Sequence, residues 1–286
     1  NLSAFMELNY NWATVASSAN IASWYCNEER EVRSATAHNI HETTTRHQPG
    51  GTGMACRYEF IQYARKPAND FRGLGRWCSW PFYCNPTHST RIVVAYRMGS
   101  GKSNGLRTIY QQQVRYMQLH NIAGTPQQLF DKDLLHQCKQ WRKSGERIIL
   151  LMDVNEHVLT GKFNRHITRF GLDLEEFTHK CWGAHQPYTH INGSIPIDGG
   201  YKSPEIEVLN VSLLPFLDSP GDHRAFIIDI STRSLLGEFR YKVCRPISRR
   251  LIMSQQGSVD AYNRIVHEQF DRHRIEIRLD AVDKMT

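Results

Sequence analysis

The stretch that most limits what this chain can fold into is residues 147–157, RIILLMDVNEH. A short apolar run, 148–152, stops abruptly at Asp153, Val154 and Asn155. A run this short, bounded by polar residues, predicts a strand buried on both faces. Asp153 and Asn155 lie two apart at its end, so their side chains point to the same side. A carboxylate and a carboxamide emerging together from a buried strand suit a hydrolytic site. The first can take a proton from water or approach a metal, and the second can hold a phosphoryl oxygen. A strand that merely stops in a polar turn would read the same, so the pair gains meaning from its company further along.

The 286 residues allow one large α/β domain or a domain with an appendage. Hydrophobic residues at 40% and charged residues at 22% are ordinary for a globular protein in water. No apolar stretch approaches the roughly 18 residues of a membrane span, so no membrane partner is expected. Residues 1–10 lack the basic start of a signal peptide, and the absence of an initial Met predicts a fragment. Seven cysteines without a C-x-x-C pair predict reduced intracellular thiols, neither a disulfide framework nor a zinc site. The net charge of +7 and pI of 9.1 favour an anionic partner. Six Lys or Arg against the single acid Glu238 concentrate that charge in residues 233–250, where a solvated linker would explain it equally well.

Along the chain, helical spacing covers 10–26, with Trp12, Val15, Ala19 and Ala22 along one side. Strands are predicted over 30–39, 54–61, 75–83 and 90–96, with a glycine-rich turn at 48–53. The loop 97–105, RMGSGKSNG, invites a P-loop reading, but Tyr96 stands where that fingerprint needs glycine. A helix over 106–121 would turn Ile109, Tyr110, Val114 and Met117 inward. Thr125 as N-cap and Pro126 in the first turn start another, carrying Leu129, Leu134, Leu135, Cys138 and Trp141 until Gly145. A helix feeding directly into a buried strand marks a layered α/β domain. Beyond it, a helix over 160–171, a short β signal at 188–190, a strand over 206–214 and a buried strand over 225–230 follow. The tight turn Pro220-Gly221-Asp222-His223-Arg224 enters the last of these. The domain then ends near 232, and 233–286 reads as a basic connector with an amphipathic helix over 258–273 bearing Val259, Tyr262, Val266 and Phe270.

Glu7, Asp153 with Asn155, Asp198 and Asp222 with His223 all sit at the ends of predicted strands. Carboxylates, an amide and an imidazole converging on sheet edges are what metal-assisted cleavage of a phosphate ester needs. A hard cation takes one or two carboxylates and keeps room for substrate. A base deprotonates water, and a histidine held by a carboxylate neutralises the developing charge.

The order Met-Glu-Leu-Asn, Gly-Gly-Thr-Gly, Val-Val-Ala-Tyr-Arg, Leu-Met-Asp-Val-Asn, Ile-Pro-Ile-Asp-Gly, Gly-Asp-His-Arg resembles the endonuclease/exonuclease/phosphatase superfamily, the DNase I and exonuclease III-like proteins. The resemblance covers about residues 1–230. Residues 70–77, DFRGLGRW, and Arg249-Arg250-Leu251 before a Tyr-bearing helix look closest to the endonuclease domains of non-LTR retrotransposons. The resemblance implies a four-layer sandwich of two packed, mainly antiparallel sheets flanked by helices. It implies Glu7 and Asp222 at a Mg²⁺ or Mn²⁺ ion, and Asp153 activating water. Asn155 would hold the scissile phosphate, Asp198 would fix His223, and His223 would meet the phosphate as an imidazolium or proton donor. Tyr96 would line the phosphate pocket, and Arg76 and Arg97 would contact nucleic acid. The implied activity is hydrolysis of DNA phosphodiester bonds, in its sharper form nicking that primes a reverse transcriptase domain of the same longer chain in the nucleus. A phosphatase or phospholipase of the same superfamily, or a degenerate nucleic-acid binder, are the alternatives. Met6 replaces the Gln usual before the metal Glu, and Gly221 the Ser usual in the last motif. The family's first strand, with an active-site Asn upstream of the Glu, is not in this sequence, so the N-terminal edge is expected to be incomplete.

Overall fold

The computed structural model describes residues 2–9, 32–42, 48–84, 86–100, 105, 107–183, 185–219, 221–237 and 255–278. The helix expected over 10–26, the centre of the 97–105 loop and most of the basic segment lie outside these. Two compact units, Asn1–Phe239 and Arg240–Thr286, divide the chain.

In the first unit the organising strand is β7 (Arg147–Asp153), central to a six-stranded sheet. Its neighbours are β4 (Ala68–Asn69), β5 (Trp77–Phe82), β6 (Thr90–Tyr96), β8 (Glu175–Glu176) and β9 (Asp198–Lys202), in the order β4-β5-β6-β7-β9-β8. Only β6 and β7 pair in parallel; the other pairs are antiparallel. A parallel pair needs a long crossover. Helices α1 (Ile109–Leu119) and α2 (Pro126–Lys143) supply it. Thr125 opens α2 with a capping box: its hydroxyl accepts from Gln128 N–H, and the Gln128 side chain accepts from Thr125 N–H.

Alternating side chains of this sheet feed two cores. Val93, Ala95, Ile148, Leu150 and Met152 face Phe130, Leu134, Leu135 and Cys138 of α2, and Phe163 and Ile167 of α3 (Lys162–Arg169). Ile92, Val94 and Ile149, with Cys78, Trp80 and Phe82, face the second sheet layer. Burial on both faces is why β6 and β7 read as unbroken apolar runs. The second layer is β1 (Leu2–Met6), β3 (Thr52–Arg57) and β2 (Val32–Ala37), ordered β1-β3-β2, and a separate pair, β10 (Val208–Leu213) with β11 (Phe226–Ile230). Leu2, Ala4 and Met6 of β1 and Val208, Val211, Ile228 and Ile230 of the pair pack on the same core. Among the described residues β1 pairs with β3 alone and β11 with β10 alone. The stacked sheets with outer helices agree with the expected sandwich.

Three local expectations change. The strand expected over 54–61 stops at Arg57, and Tyr58–Tyr63 coil into a 3-10 helix that lays Phe60 on Phe82. The strand entering from 225 alternates half-buried and exposed residues, because only one of its faces meets the core. Helix α1 buries Gln112 and Gln113 with Met117, leaving Val114 half-buried, since Gln112 accepts from Asn39 across to β2's end. A last short helix, α4 (Thr232–Leu236), buries Leu235 and Leu236 in the sheet–sheet core, so the first unit runs past residue 232. In the second unit α5 (Gln256–Arg272) has no buried residue; Tyr262 and Phe270 are exposed, Val259 and Val266 half-buried.

Candidate active site

Strand register assembles the site. Tyr96 at the end of β6 pairs with Asp153 at the end of β7, and Asp153 pairs with Asp198 at the start of β9. Paired residues project from the same face of a sheet, so a phenol and two carboxylates form one row across three strands. That row faces the second sheet layer, because Ile149 and Leu151, in step with Asp153, join the sheet–sheet core. Asp153 and Asp198 are only 3% and 4% exposed.

Glu7 arrives from the facing sheet, just past β1. Glu7 and Asn9 both take left-handed backbone conformations, each with φ of 52°. Such backbone costs a non-glycine residue about 1–3 kcal/mol and persists only where the surroundings over-determine it. Here Leu8 N–H donates to Gly51 O at 3.2 Å, Asn9 N–H to Gly50 O at 2.8 Å, and Gly50 N–H to Asn9 Oδ1 at 2.8 Å. Gly50 and Gly51 have φ of 92° and 88°, which is the reason the turn before β3 is glycine.

His223 comes from the turn before β11. Its Nδ1–H donates to Asp198 Oδ2 at 2.7 Å, and its ring packs edge-on against His190 at 4.8 Å. Burial works to lower the His223 pKa, but the hydrogen-bonded Asp198 carboxylate and the nearby Asp153 outweigh it and raise it to about 9. The imidazole is therefore charged at neutral pH, with Nε2–H left for a substrate. Burial first, then the charge of Asp198, pushes Asp153 well above the usual carboxylate range, with Glu7 adding to the rise and His223 opposing it. Burial and then the Glu7 and Asp153 charges raise the Tyr96 phenol, which hydrogen-bonds Glu7 and Asn155.

Asn155 sits in left-handed backbone, φ 53°. Its N–H donates to Asp153 Oδ1 at 2.8 Å. Its Nδ2 donates to Asp153 Oδ2 at 3.1 Å and to Arg97 O at 2.9 Å. Both amide hydrogens thus have partners within the protein, and Asn155 braces Asp153.

Atoms of Glu7, Asp153 and His223 lie within 4.8 Å of one another; with His223 protonated on both ring nitrogens, the two carboxylates are the ligands on offer. Burial, and after it the charges of Asp198 and Glu7, work against an ionised Asp153, and a divalent cation would offset both; carboxylate oxygens suit Mg²⁺ or Mn²⁺. The residues fit the ion. Asp222, expected beside it, groups instead with His190 and His223, and its side chain is 66% exposed. His190 is a donor in this second group: its Nδ1 accepts Asn192 N–H at 3.1 Å, so Nε2 carries the proton and faces Asp222 Oδ2 at 3.4 Å.

The two arginines expected at nucleic acid are instead structural. Arg76 is buried between Asp70, at 2.6 Å, and Asp133, at 2.9 Å. The Asp-Phe-Arg-Gly-Leu-Gly-Arg-Trp stretch thereby acquires a folding reason: Arg72 also pairs with Asp133, and Gly73 and Gly75 supply positive φ at 72° and 70°. Arg97 is buried against Asp131 at 2.7 Å. A guanidinium closed in by carboxylates has no charge to offer a phosphate. Sequence reading also missed His179, wholly buried, whose Nε2–H supports the Asp198 carbonyl at 2.8 Å, and Asp131. Two aspartates among the apolar residues of α2, Asp131 and Asp133, both buried, were the available signal for buried partners.

The sequence matches no protein-family model, and no curated protein matches it. Solved structures do match. The catalytic domain of human Nocturnin, with bound sulfate, superposes with a TM-score of 0.53 at 15% identity, over 80% of each chain. The 3' phosphatase NExo from Neisseria, bound to a product DNA hairpin, gives 0.54 at 9% identity over 80% of this chain and 88% of that one. An endonuclease/exonuclease/phosphatase protein from Bacteroides vulgatus gives 0.50 at 12% identity over 81% and 84%. The chain has the fold of the endonuclease/exonuclease/phosphatase proteins.

Proposed function

We propose that this protein hydrolyses phosphodiester bonds of DNA with the help of a divalent cation. The observation that carries the reading is the row Tyr96, Asp153, Asp198, closed by the Asp198–His223 hydrogen bond and by Glu7 from the facing sheet. A Mg²⁺ or Mn²⁺ ion held by Glu7, with Asp153 and His223 beside it, would supply positive charge for the phosphoryl oxygens. Asp153, held by two bonds from Asn155, is the base for the attacking water. His223, fixed by Asp198, presents Nε2–H to a phosphoryl oxygen and neutralises the charge that develops there. Tyr96 ends the row with its phenol hydrogen-bonded to Glu7. Asp222, held toward His190, adds negative charge at the outer rim.

The net charge of +7 supports a polyanionic substrate, since phosphate contacts supply most sequence-independent binding to DNA. A DNA hairpin at a structural neighbour of the same fold supports it further. The sharper form, nicking of target DNA for a reverse transcriptase domain in the same longer chain, rests on the likeness at 70–77 and 249–251. The decisive experiment is nicking of supercoiled plasmid by the full-length protein in Mg²⁺ and Mn²⁺, with Asp153→Ala and His223→Ala alongside. Nicking that needs the metal and both side chains is the expected result. Hydrolysis of inositol phosphates or sphingomyelin without plasmid nicking, or DNA binding without any hydrolysis, would sink it.

A further inference from the structure

The loop that carries Asn155 is held from behind by Arg97. On the side-chain side, Arg97 Nε donates to Asp131 Oδ1 at 2.7 Å and Nη2 to Asp131 Oδ2 at 3.2 Å. Nη1 donates to Val154 O at 3.2 Å and lies 3.6 Å from Glu156 Oε2. On the backbone side, Arg97 N–H donates to Asp153 O at 2.9 Å, and Arg97 O accepts from Asn155 Nδ2 at 2.9 Å. One residue therefore touches each of the four positions 153–156. Asp131 in turn meets His166 Nδ1 at 2.9 Å, which ties the anchor to α3 as well as α2.

We propose that Arg97, fixed by Asp131, is a positioning residue: it holds Asn155, and through Asn155 the carboxylate of Asp153, in place for hydrolysis without touching substrate. The inference rests on the phosphodiesterase reading above. Asn155 needs such a hold because left-handed backbone persists only where neighbours enforce it. If the loop shifts, the Asn155 amide loses Arg97 O, and Asp153 loses a partner that aims its second oxygen. A planar guanidinium serves Asp131 and Val154 together; a lysine ammonium cannot reproduce that fork.

The test uses the full-length protein, supercoiled plasmid and Mg²⁺. Arg97→Lys should lower kcat by about 100-fold, the cost of misplacing a reacting group by about 1 Å. KM and the salt dependence of DNA binding should stay as in the parent. A salt slope smaller by about one phosphate contact would make Arg97 a DNA ligand and overturn the proposal. Guanidinium added to Arg97→Ala should restore part of kcat, which a general loss of folding would not allow; no recovery by a folded variant counts against the proposal. If the single variants fail to fold, Arg97→Met with Asp131→Leu removes both buried charges together and should show the same kcat loss at unchanged KM. A parent that nicks no plasmid would refute the phosphodiesterase reading and leave the positioning to NMR of the Asn155 side-chain amide. That amide should be protected from exchange in the parent and exposed in Arg97→Lys; an unchanged amide overturns the proposal.

Discussion

Asp153 and Asp222 are both aspartates beside the same histidine, yet the fold gives them opposite surroundings. Asp153 ends a strand buried on both faces, is 3% exposed, and takes two hydrogen bonds from Asn155. Asp222 stands in a turn with its side chain 66% exposed and His190 at 3.4 Å. Burial and neighbouring charge raise the first well above the usual range. The same side chain can therefore be a base in one place and a rim charge in the other, by environment alone.

The largest expected effect follows from the buried member. Asp153→Asn should lower plasmid nicking by about 10²–10⁴-fold, the range a positioned base supplies. Its effect on stability has the opposite sign. A carboxyl whose folded pKa is raised stabilises the fold when protonated and loses that contribution as pH climbs. In metal-free protein at pH 8 the Asn variant should melt higher than the parent, and Mg²⁺ should raise the parent's Tm more than the variant's. A variant that melts lower would mean that Asp153 is stabilised as the anion, against the comparison.

His223 lies between the two aspartates and gives the next effect. Its folded pKa, near 9 against an ordinary 6.5, means that its stabilising contribution is complete below about pH 6.5 and is lost as pH rises through about 9. The Tm of the metal-free parent should fall across that window, and His223→Asn should flatten the fall. A profile identical in the two proteins would show that the Asp198–His223 bond carries no charge.

The contrast extends to the strands. Leu150→Ala on β7 opens a cavity against α2 and should cost about 2–5 kcal/mol in urea unfolding. Ile227→Ala on β11, already 49% exposed, should stay within about 0.5 kcal/mol. Comparable losses would mean that the exposed face of β11 is covered.

The same difference decides what was legible from sequence. β6 and β7 announced themselves, because burial on both faces writes a continuous apolar run; Thr90–Tyr96 was expected at its observed bounds. Glu7, Asp153, Asp198 and His223 were legible as polar residues at strand ends. What aligned them was not, because the Tyr96–Asp153–Asp198 row depends on a parallel crossover and an antiparallel return that no local pattern encodes. Arg76 and Arg97 misled for a related reason. A cation in a basic chain suggests phosphate, whereas Arg97 pairs with Asp131, 34 residues away, and Arg76 with Asp133, 57 away, as well as with Asp70, six away. The strand over 54–61 was drawn too long because Phe60 and Ile61 are apolar, although they belong to the 3-10 turn that follows.

The smallest expected effect belongs to the exposed aspartate and tests the comparison most sharply. Asp222 groups with His190 and His223, while Glu7 groups with Asp153 and His223. Titrating Mg²⁺ in the nicking assay should therefore separate them. Glu7→Gln should raise the metal concentration for half-activation by at least about 10–100-fold, the loss that follows when even an outer partner of a metal ligand is removed. Asp222→Asn should raise it by less than about tenfold, with kcat at saturating metal unchanged and stability altered by less than about 0.5 kcal/mol. His190→Phe, which removes the partner of Asp222 and keeps a ring against His223, should match Asp222→Asn. If Asp222→Asn instead equals Glu7→Gln, the turn before β11 closes onto the ion when it binds. The exposed carboxylate would then be a direct ligand, and the two aspartates would differ only before the metal arrives.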